Sequence, residues 1–336
     1  MSNRLRVAVA GAGFASGFHL EGWRRLPTVE LVAICDPDER AAQSRARDFG
    51  IPRVYQNAAD MLEATRPDAL DIVSPMATHM ALCLLAADYG AAVLCQKPVA
   101  PSLREAQTLA REVGGRIRLM VHENWRFRKQ YRQIKRWLEE GLIGDVASAV
   151  MHVRSSGLVP DENGIRPQLV RQPFCAELER FMINETLIHH LDVLRWLLGP
   201  LQVDAARVGY GCSAIRGEDR AAILLAGDGC WAMLDGNCAV PAAYPTVSDR
   251  LEIVGSRGVA LFEGSRATLV GPREASRSYD LVAGYADSYA AVIEHFVESL
   301  ATRAPFETEL DDNLHTLALV EDAYAKAKPI ARTATT

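Results

Sequence analysis

Mainly apolar runs recur through the first 125 positions, each ending at small, polar or charged residues, with segments of helical spacing between them. The runs are Leu5 to Ala10, Glu30 to Cys35, Arg53 to Tyr55, Ala69 to Ser74, Ala91 to Cys95 and Arg116 to Val121. Strands this continuously apolar belong to a parallel sheet covered on both faces. The intervening helices are predicted near Glu39 to Phe49, Ala58 to Ala64 and Thr78 to Tyr89, the last closed by Gly90. A further helix starts at Ser102, which forms a capping box with Glu105. Strands alternating with helices predict a doubly wound α/β sheet.

From Asp145 the period changes. Ala147 to Arg154, Ala221 to Ala226, Cys230 to Asp235 and Arg250 to Val254 alternate apolar and polar residues, as half-buried antiparallel strands do. A helix over Glu185 to Leu198 interrupts them, and helices over Ser288 to Leu300 and Asp312 to Ala327 close the chain. The expectation is a Rossmann domain over 1–125 and an α/β domain with an open, mostly antiparallel sheet over 126–336, its last helices packing back on the first.

Composition sharpens this picture. With 336 residues and 49% hydrophobic content the chain can fill two cores. A formal net charge of -5 and the lack of a basic stripe argue against nucleic acid as a partner. No apolar run approaches the roughly 20 residues of a membrane span, and the N-terminus enters the first strand directly, so a cytoplasmic protein is expected. Seven scattered cysteines without a C-x-x-C pair suit buried small hydrophobes better than a disulfide framework or a zinc knuckle.

Chemistry concentrates where strands of a parallel sheet end, because ligands bind beyond their carboxyl ends. After the first strand, Gly11 permits a tight turn and Gly13 a close backbone approach to a pyrophosphate. A helix starting near Phe14 and Ala15 would aim its positive end at that phosphate. The third glycine of the G-x-G-x-x-G pattern falls on Ser16. Asp36 ends the second strand, where a carboxylate accepts the ribose hydroxyls of an adenosine; NAD is the cofactor this pattern predicts. The later strand ends supply Ser74, Pro75, Thr78 and His79, then Gln96 and Lys97, then Asn124, Trp125 and Arg126. Lys97, set between a buried strand and a proline, is a candidate catalytic group as well as a cofactor contact, or else a plain surface lysine. At about 100° per residue, Glu185, His189 and Asp192 share a stripe roughly 60° wide, opposite a leucine face. Two carboxylates around an imidazole make a general base; the bland alternative is a solvated polar face. Glu185, His189 and His190 are also metal-ligand types, but His190 points away from His189, and no metal is expected.

Taken in order, Gly11-x-Gly13 with His19, Ser74-Pro75-x-x-Thr78-His79, Gln96-Lys97-Pro98, Glu123-Asn124-Trp125-Arg126 and Glu185-x-x-x-His189-x-x-Asp192 resemble the glucose-fructose oxidoreductase, inositol dehydrogenase and MocA family. Within it the pattern is most similar to a subgroup that includes apiose dehydrogenase. The resemblance implies a Rossmann domain followed by an open-sheet domain used for dimer or tetramer contacts. It implies oxidation or reduction of a sugar or cyclitol carbon with NAD or NADP. Lys97 matches the lysine of the family's Glu-Lys-Pro motif; His189 and Glu185 match its catalytic histidine and an aspartate four residues earlier. Gln96 and Glu185 depart from the pattern, the first removing a charge beside Lys97 and the second lengthening an orienting arm.

The expected activity is therefore NAD-dependent oxidation of a carbinol of a small sugar or polyol, an aldose to its lactone, by a homodimer or homotetramer. Catalytic roles fall to Lys97, His189 and Glu185, and substrate contacts to Asn124, Trp125, Arg126, His190 and Asp192. The alternatives are an NAD-dependent glycosidase of the same fold and a non-catalytic sugar sensor.

Overall fold

The computed structural model describes residues 4–241 and 248–330. Two compact units emerge: residues up to Phe127 with Tyr285–Leu317, and Arg128–Gly284 with residues from Ala318 onward.

In the first unit the apolar runs form six parallel strands, β1 (Leu5–Ala10), β2 (Val29–Cys35), β3 (Val54–Tyr55), β4 (Ala69–Ile72), β5 (Ala92–Gln96) and β6 (Leu119–His122), in the order β3-β2-β1-β4-β5-β6. Helices α1 (Ser16–Arg24), α2 (Glu39–Phe49), α3 (Ala58–Thr65), α4 (His79–Asp88) and α5 (Leu103–Val113) alternate with them. Strand order reverses beside β1, which pairs β2 on one side and β4 on the other. That switch point opens the crevice where doubly wound sheets bind ligands.

Among the boundaries that differ from the sequence expectation, two have a local cause. The first helix begins at Ser16 rather than near Phe14, because the Ser16 hydroxyl donates to the Gly13 carbonyl at 2.7 Å and holds residues 13–15 as turn. β6 begins at Leu119 rather than Arg116, since Gly115 adopts φ +77° and the Arg116 amide closes a turn on the Val113 carbonyl. Val7, Trp23, Leu94, Met120, Phe296 and Phe306 form one core layer of this unit. Fully burying such side chains contributes roughly 1.5–3 kcal/mol each.

The second unit is built on β7 (Val146–Arg154), β8 (Leu201–Gly209), β9 (Arg220–Gly227), β10 (Trp231–Asn237), β11 (Ser248–Gly255), β12 (Val259–Glu263), β13 (Arg266–Val270), β14 (Ala275–Ser278) and β15 (Ala327–Pro329). Among the described residues these make a nine-stranded open sheet, ordered β14-β13-β12-β11-β7-β10-β9-β8-β15. It is mostly antiparallel, with β7 parallel to β10 and β8 parallel to β15. Helices α6 (Lys129–Glu139) and α8 (Ile188–Leu198) lie on one face, α6 against β12 and β13 and α8 against β10; α7 (Pro167–Arg171) is a short turn of helix. The face that holds Met151, Ile223, Leu225, Leu234, Ile253 and Phe262 is buried. The opposite face leaves Leu224, Trp231 and Val270 exposed. The chain closes with α9 (Leu281–Thr302) and α10 (Leu310–Lys326).

Candidate active site

The nucleotide turn is shaped by two glycines with different duties. Gly11 has φ +113°, and a Cβ there would lie 2.6 Å from the Val73 carbonyl carbon and oxygen, so only glycine fits against β4. A Cβ on Gly13 would meet nothing within 4 Å, leaving the open backbone approach that a pyrophosphate needs. Asp36 braces the turn, its two carboxylate oxygens accepting from the Ala12 amide at 2.8 Å and the Asp38 amide at 2.9 Å. Each oxygen keeps a second lone pair for a ribose hydroxyl. Arg45 donates to the Gly13 carbonyl at 3.1 Å. Phe14 stands exposed at the turn, edge-on to Phe18. Ala15 is the residue before α1. These residues fit a dinucleotide.

The next strand ends build the rest of this half. Ser74 and Thr78 hydroxyls pair at 2.6 Å, and the Thr78 hydroxyl donates to the Pro75 carbonyl, which fixes the turn into α4. His79 bridges two strand ends, its ring nitrogens 2.9 Å from the Ser74 carbonyl and 2.8 Å from the Pro98 carbonyl. Burial pushes the His79 imidazole below its ordinary value near 6.5, while those two carbonyls pull the other way. At the end of β5, the Gln96 side-chain oxygen accepts from the Lys97 amide at 2.8 Å, and Lys97 itself is half-buried.

Each of the three substrate candidates after β6 has a partner inside the first unit. Asn124 donates to the Ser288 hydroxyl at 2.9 Å. Arg126 is buried and donates to the Glu307 carbonyl and the Asp312 carboxylate, each at 2.9 Å. Trp125 is buried with its ring edge-on to Tyr285.

The second unit holds the histidine helix, and here the regular helical wheel fails. Met182–Leu187 forms a π-turn before α8 starts at Ile188, so the five-residue step rotates Glu185 away from the phase assumed at about 100° per residue. Buried Glu218 anchors that turn, accepting from the Phe181 amide at 3.3 Å, the Ile183 amide at 3.0 Å and the Tyr324 hydroxyl at 2.6 Å. Gly236 on β10 makes room for it, since a Cβ there would overlap Met182 and Leu187. His189 is buried and Glu185 half-buried, which excludes the solvated polar face. Asp192 is fully buried, with the Arg195 guanidinium 3.5 Å away.

His190 is also fully buried. Its Nδ1 lies 3.1 Å from the Thr186 carbonyl and its Nε2 2.9 Å from Asp249, which also accepts from Tyr131 at 2.6 Å and faces Arg128. Burial alone would raise the Asp249 carboxyl; His190, Arg128 and Tyr131 overcome it and hold the carboxyl well below the usual range. This places His190 in a packing network of its own unit. Among the described residues, no group of three or more His, Cys, Asp or Glu side chains is arranged to hold a metal ion.

Sequence reasoning passed over Asp71. A carboxylate inside the apolar run Ala69-Leu70-Asp71-Ile72 needs a buried partner, and it has two: His19 Nδ1 at 2.9 Å and the Trp23 indole N–H at 2.6 Å.

An anion-seating glycine turn, an acid at the second strand end and a switch-point crevice define a dinucleotide-binding protein. Residues 5–121 match the oxidoreductase family model with the NAD-binding Rossmann fold, and residues 131–261 match the GFO/IDH/MocA C-terminal domain; the chain belongs to that family and is an NAD-dependent oxidoreductase. It is 35% identical to a D-apiose dehydrogenase of Paraburkholderia graminis, over 97% of this chain and 88% of the relative. A D-apiose dehydrogenase of Rhizobium rhizogenes is 32% identical over 96% and 95%. Among solved structures, an oxidoreductase from Agrobacterium radiobacter in complex with NAD+, L-tartaric acid and magnesium superposes with TM-score 0.88 at 30% identity, covering 96% of each chain.

Proposed function

We propose that this protein oxidises one carbinol of a small polyhydroxylated substrate, an aldose at its anomeric carbon, and releases the lactone. The observation that carries this reading is the near full-length likeness to two proteins named D-apiose dehydrogenase, in a chain that keeps Lys97, Glu185 and His189. NAD, when bound, supplies the acceptor for the hydride that leaves the carbinol carbon. His189, as the free base oriented by Glu185, takes the hydroxyl proton. Lys97 is the donor assigned to favour the developing alkoxide. The Gly11–Ala15 turn, Asp36 and the Ser74–His79 bracket seat the cofactor, and Trp125 and Asp192 remain with Asn124 and Arg126 as the residues that shape the substrate end.

The chain works as a dimer or a dimer of dimers in the cytoplasm. Support for assembly comes from the exposed sheet face, where paired register aligns Leu224, Met233 and Val150 in one row and Trp231, Val254, Val259 and Val270 in the next. An apolar face of this kind calls for cover. Free thiols at the cysteines suit a reducing compartment, and no helix of the described residues is long and apolar enough to cross a membrane.

NADH formation across a panel of aldoses, polyols and cyclitols tests the reading. An aldopentose should give the highest kcat/KM and a lactone product. Lys97→Ala should lose at least about 100-fold in kcat while still binding NAD. Net glycoside hydrolysis without NADH accumulation, or unchanged kcat in Lys97→Ala, would overturn it.

A further inference from the structure

Lys97 does not stand alone at the end of β5, because a line of hydrogen bonds runs from its backbone into the core of the first unit. The Lys97 amide donates to the Gln96 side-chain oxygen at 2.8 Å, and the Gln96 side-chain nitrogen lies 3.0 Å from His19 Nε2. His19 Nδ1 lies 2.9 and 3.0 Å from the two oxygens of Asp71, which also accepts from the Trp23 indole. His19 and Asp71 are both fully buried.

The direction of every proton in this line follows from its outer end. A backbone N–H only donates, so the atom of Gln96 facing Lys97 is the carbonyl oxygen, and the amide nitrogen must face His19. That nitrogen carries two hydrogens and accepts nothing. His19 Nε2 must therefore be a bare lone pair, which leaves the ring's single proton on Nδ1, pointing at Asp71. The indole N–H, likewise donor-only, confirms that Asp71 accepts. His122 on β6 lies against the His19 ring with centroids 4.1 Å apart, and Tyr289 on α9 meets it edge-on at 5.4 Å.

We infer that Asp71, His19 and Gln96 form a positioning relay that holds His19 as the neutral Nδ1–H tautomer and pins the backbone of Lys97. An amide at position 96 supplies both the acceptor for Lys97 and the donor for His19 without taking up or losing a proton. Alanine there would leave the Lys97 amide and His19 Nε2 without this link. Glutamate would still accept from Lys97 but would turn an acceptor toward the Nε2 lone pair, a repulsion relieved by a proton on either His19 Nε2 or the glutamate itself. Residue 96 thus decides which group carries the proton between it and a buried imidazole, two hydrogen bonds away from the Lys97 backbone. The tautomer follows from geometry alone, whereas its effect on turnover rests on the role proposed for Lys97.

The test is a long-range nitrogen–proton correlation spectrum of the full protein labelled at histidine nitrogen, without cofactor. His19, assigned by its loss in His19→Gln or through its backbone, should show one protonated and one bare nitrogen, with the proton on Nδ1. A proton on Nε2 in the parent overturns the relay, with no variant needed. Gln96→Glu should place a proton between residue 96 and Nε2, and an ionised carboxylate facing a bare Nε2 would count against it. Hydrogen exchange at the Lys97 amide should quicken at least about fivefold in Gln96→Ala, the scale of one lost hydrogen bond, and an unchanged rate would sink the pinning role. If kcat survives Lys97→Ala while these spectra hold, the catalytic reading fails and the relay stands.

Discussion

Gly11 and Gly13 lie two residues apart in one turn, yet the structure assigns them opposite sensitivities. Alanine at Gly11 would place Cβ 2.6 Å from the Val73 carbonyl and 2.7 Å from the Ser74 amide, backbone atoms that cannot swing aside, at φ +113°. Overpacking costs about 1–3 kcal/mol, and the left-handed conformation adds about 1–2 kcal/mol for a residue with Cβ. A loss near 3 kcal/mol lowers Tm by about 6–12 °C in a domain of this size. Alanine at Gly13 meets nothing within 4 Å and needs no unusual φ, so stability should hold or rise slightly through lost chain entropy. Its methyl group, however, occupies the space through which the backbone reaches a pyrophosphate. Losing one charge-assisted hydrogen bond, about 1.5–3 kcal/mol, weakens NAD binding by at least about tenfold. Thermal unfolding without cofactor and calorimetric titration with NAD separate the two effects. Full NAD affinity in Gly13→Ala, or an unchanged Tm in Gly11→Ala, would refute the division of labour.

Asp36 should favour NAD over NADP by well over tenfold in kcat/KM, since like charges about 4 Å apart cost on the order of 4 kcal/mol at an effective dielectric near 20; equal values would contradict its placement at the ribose. Acid should destabilise the fold in two stages. His79 titrates below its ordinary 6.5 when folded, so the unfolded chain binds the proton first and stability falls as pH drops below that value, by at most about 1.4 kcal/mol per unit. Asp249 is held below the carboxylate range, so its contribution is present above about pH 4 and is lost as pH falls further. Denaturant melts of the parent and His79→Gln between pH 7 and pH 5 should differ in slope, and parallel curves would rule out the first stage. Sedimentation at micromolar concentration should return a dimer or tetramer that Trp231→Glu weakens, whereas a parent mass of one chain would count against the exposed sheet face as an interface.

The first unit was largely legible in the sequence because its information is local. β1 spans Leu5–Ala10 as the apolar run does, and α2 ends at Phe49 before Gly50 at φ +67°. Asp36 reaches the Ala12 amide as its position at the end of β2 allows. Runs buried on both faces, glycines at forced turns and acids at strand ends declare themselves within a few residues. Tertiary structure decided what spans longer separations. Alternation showed that Ala147 to Arg154 and Cys230 to Asp235 are strands, but their parallel pairing across some 80 positions depends on neighbours that periodicity does not encode. A π-turn anchored by Glu218 rephased Glu185 against His189, because packing against Gly236 and a buried carboxylate outweighed the regular helical step. The line from Lys97 through Gln96 and His19 to Asp71 joins residues 77 and 52 positions apart, and only the folded sheet brings them within hydrogen-bonding distance.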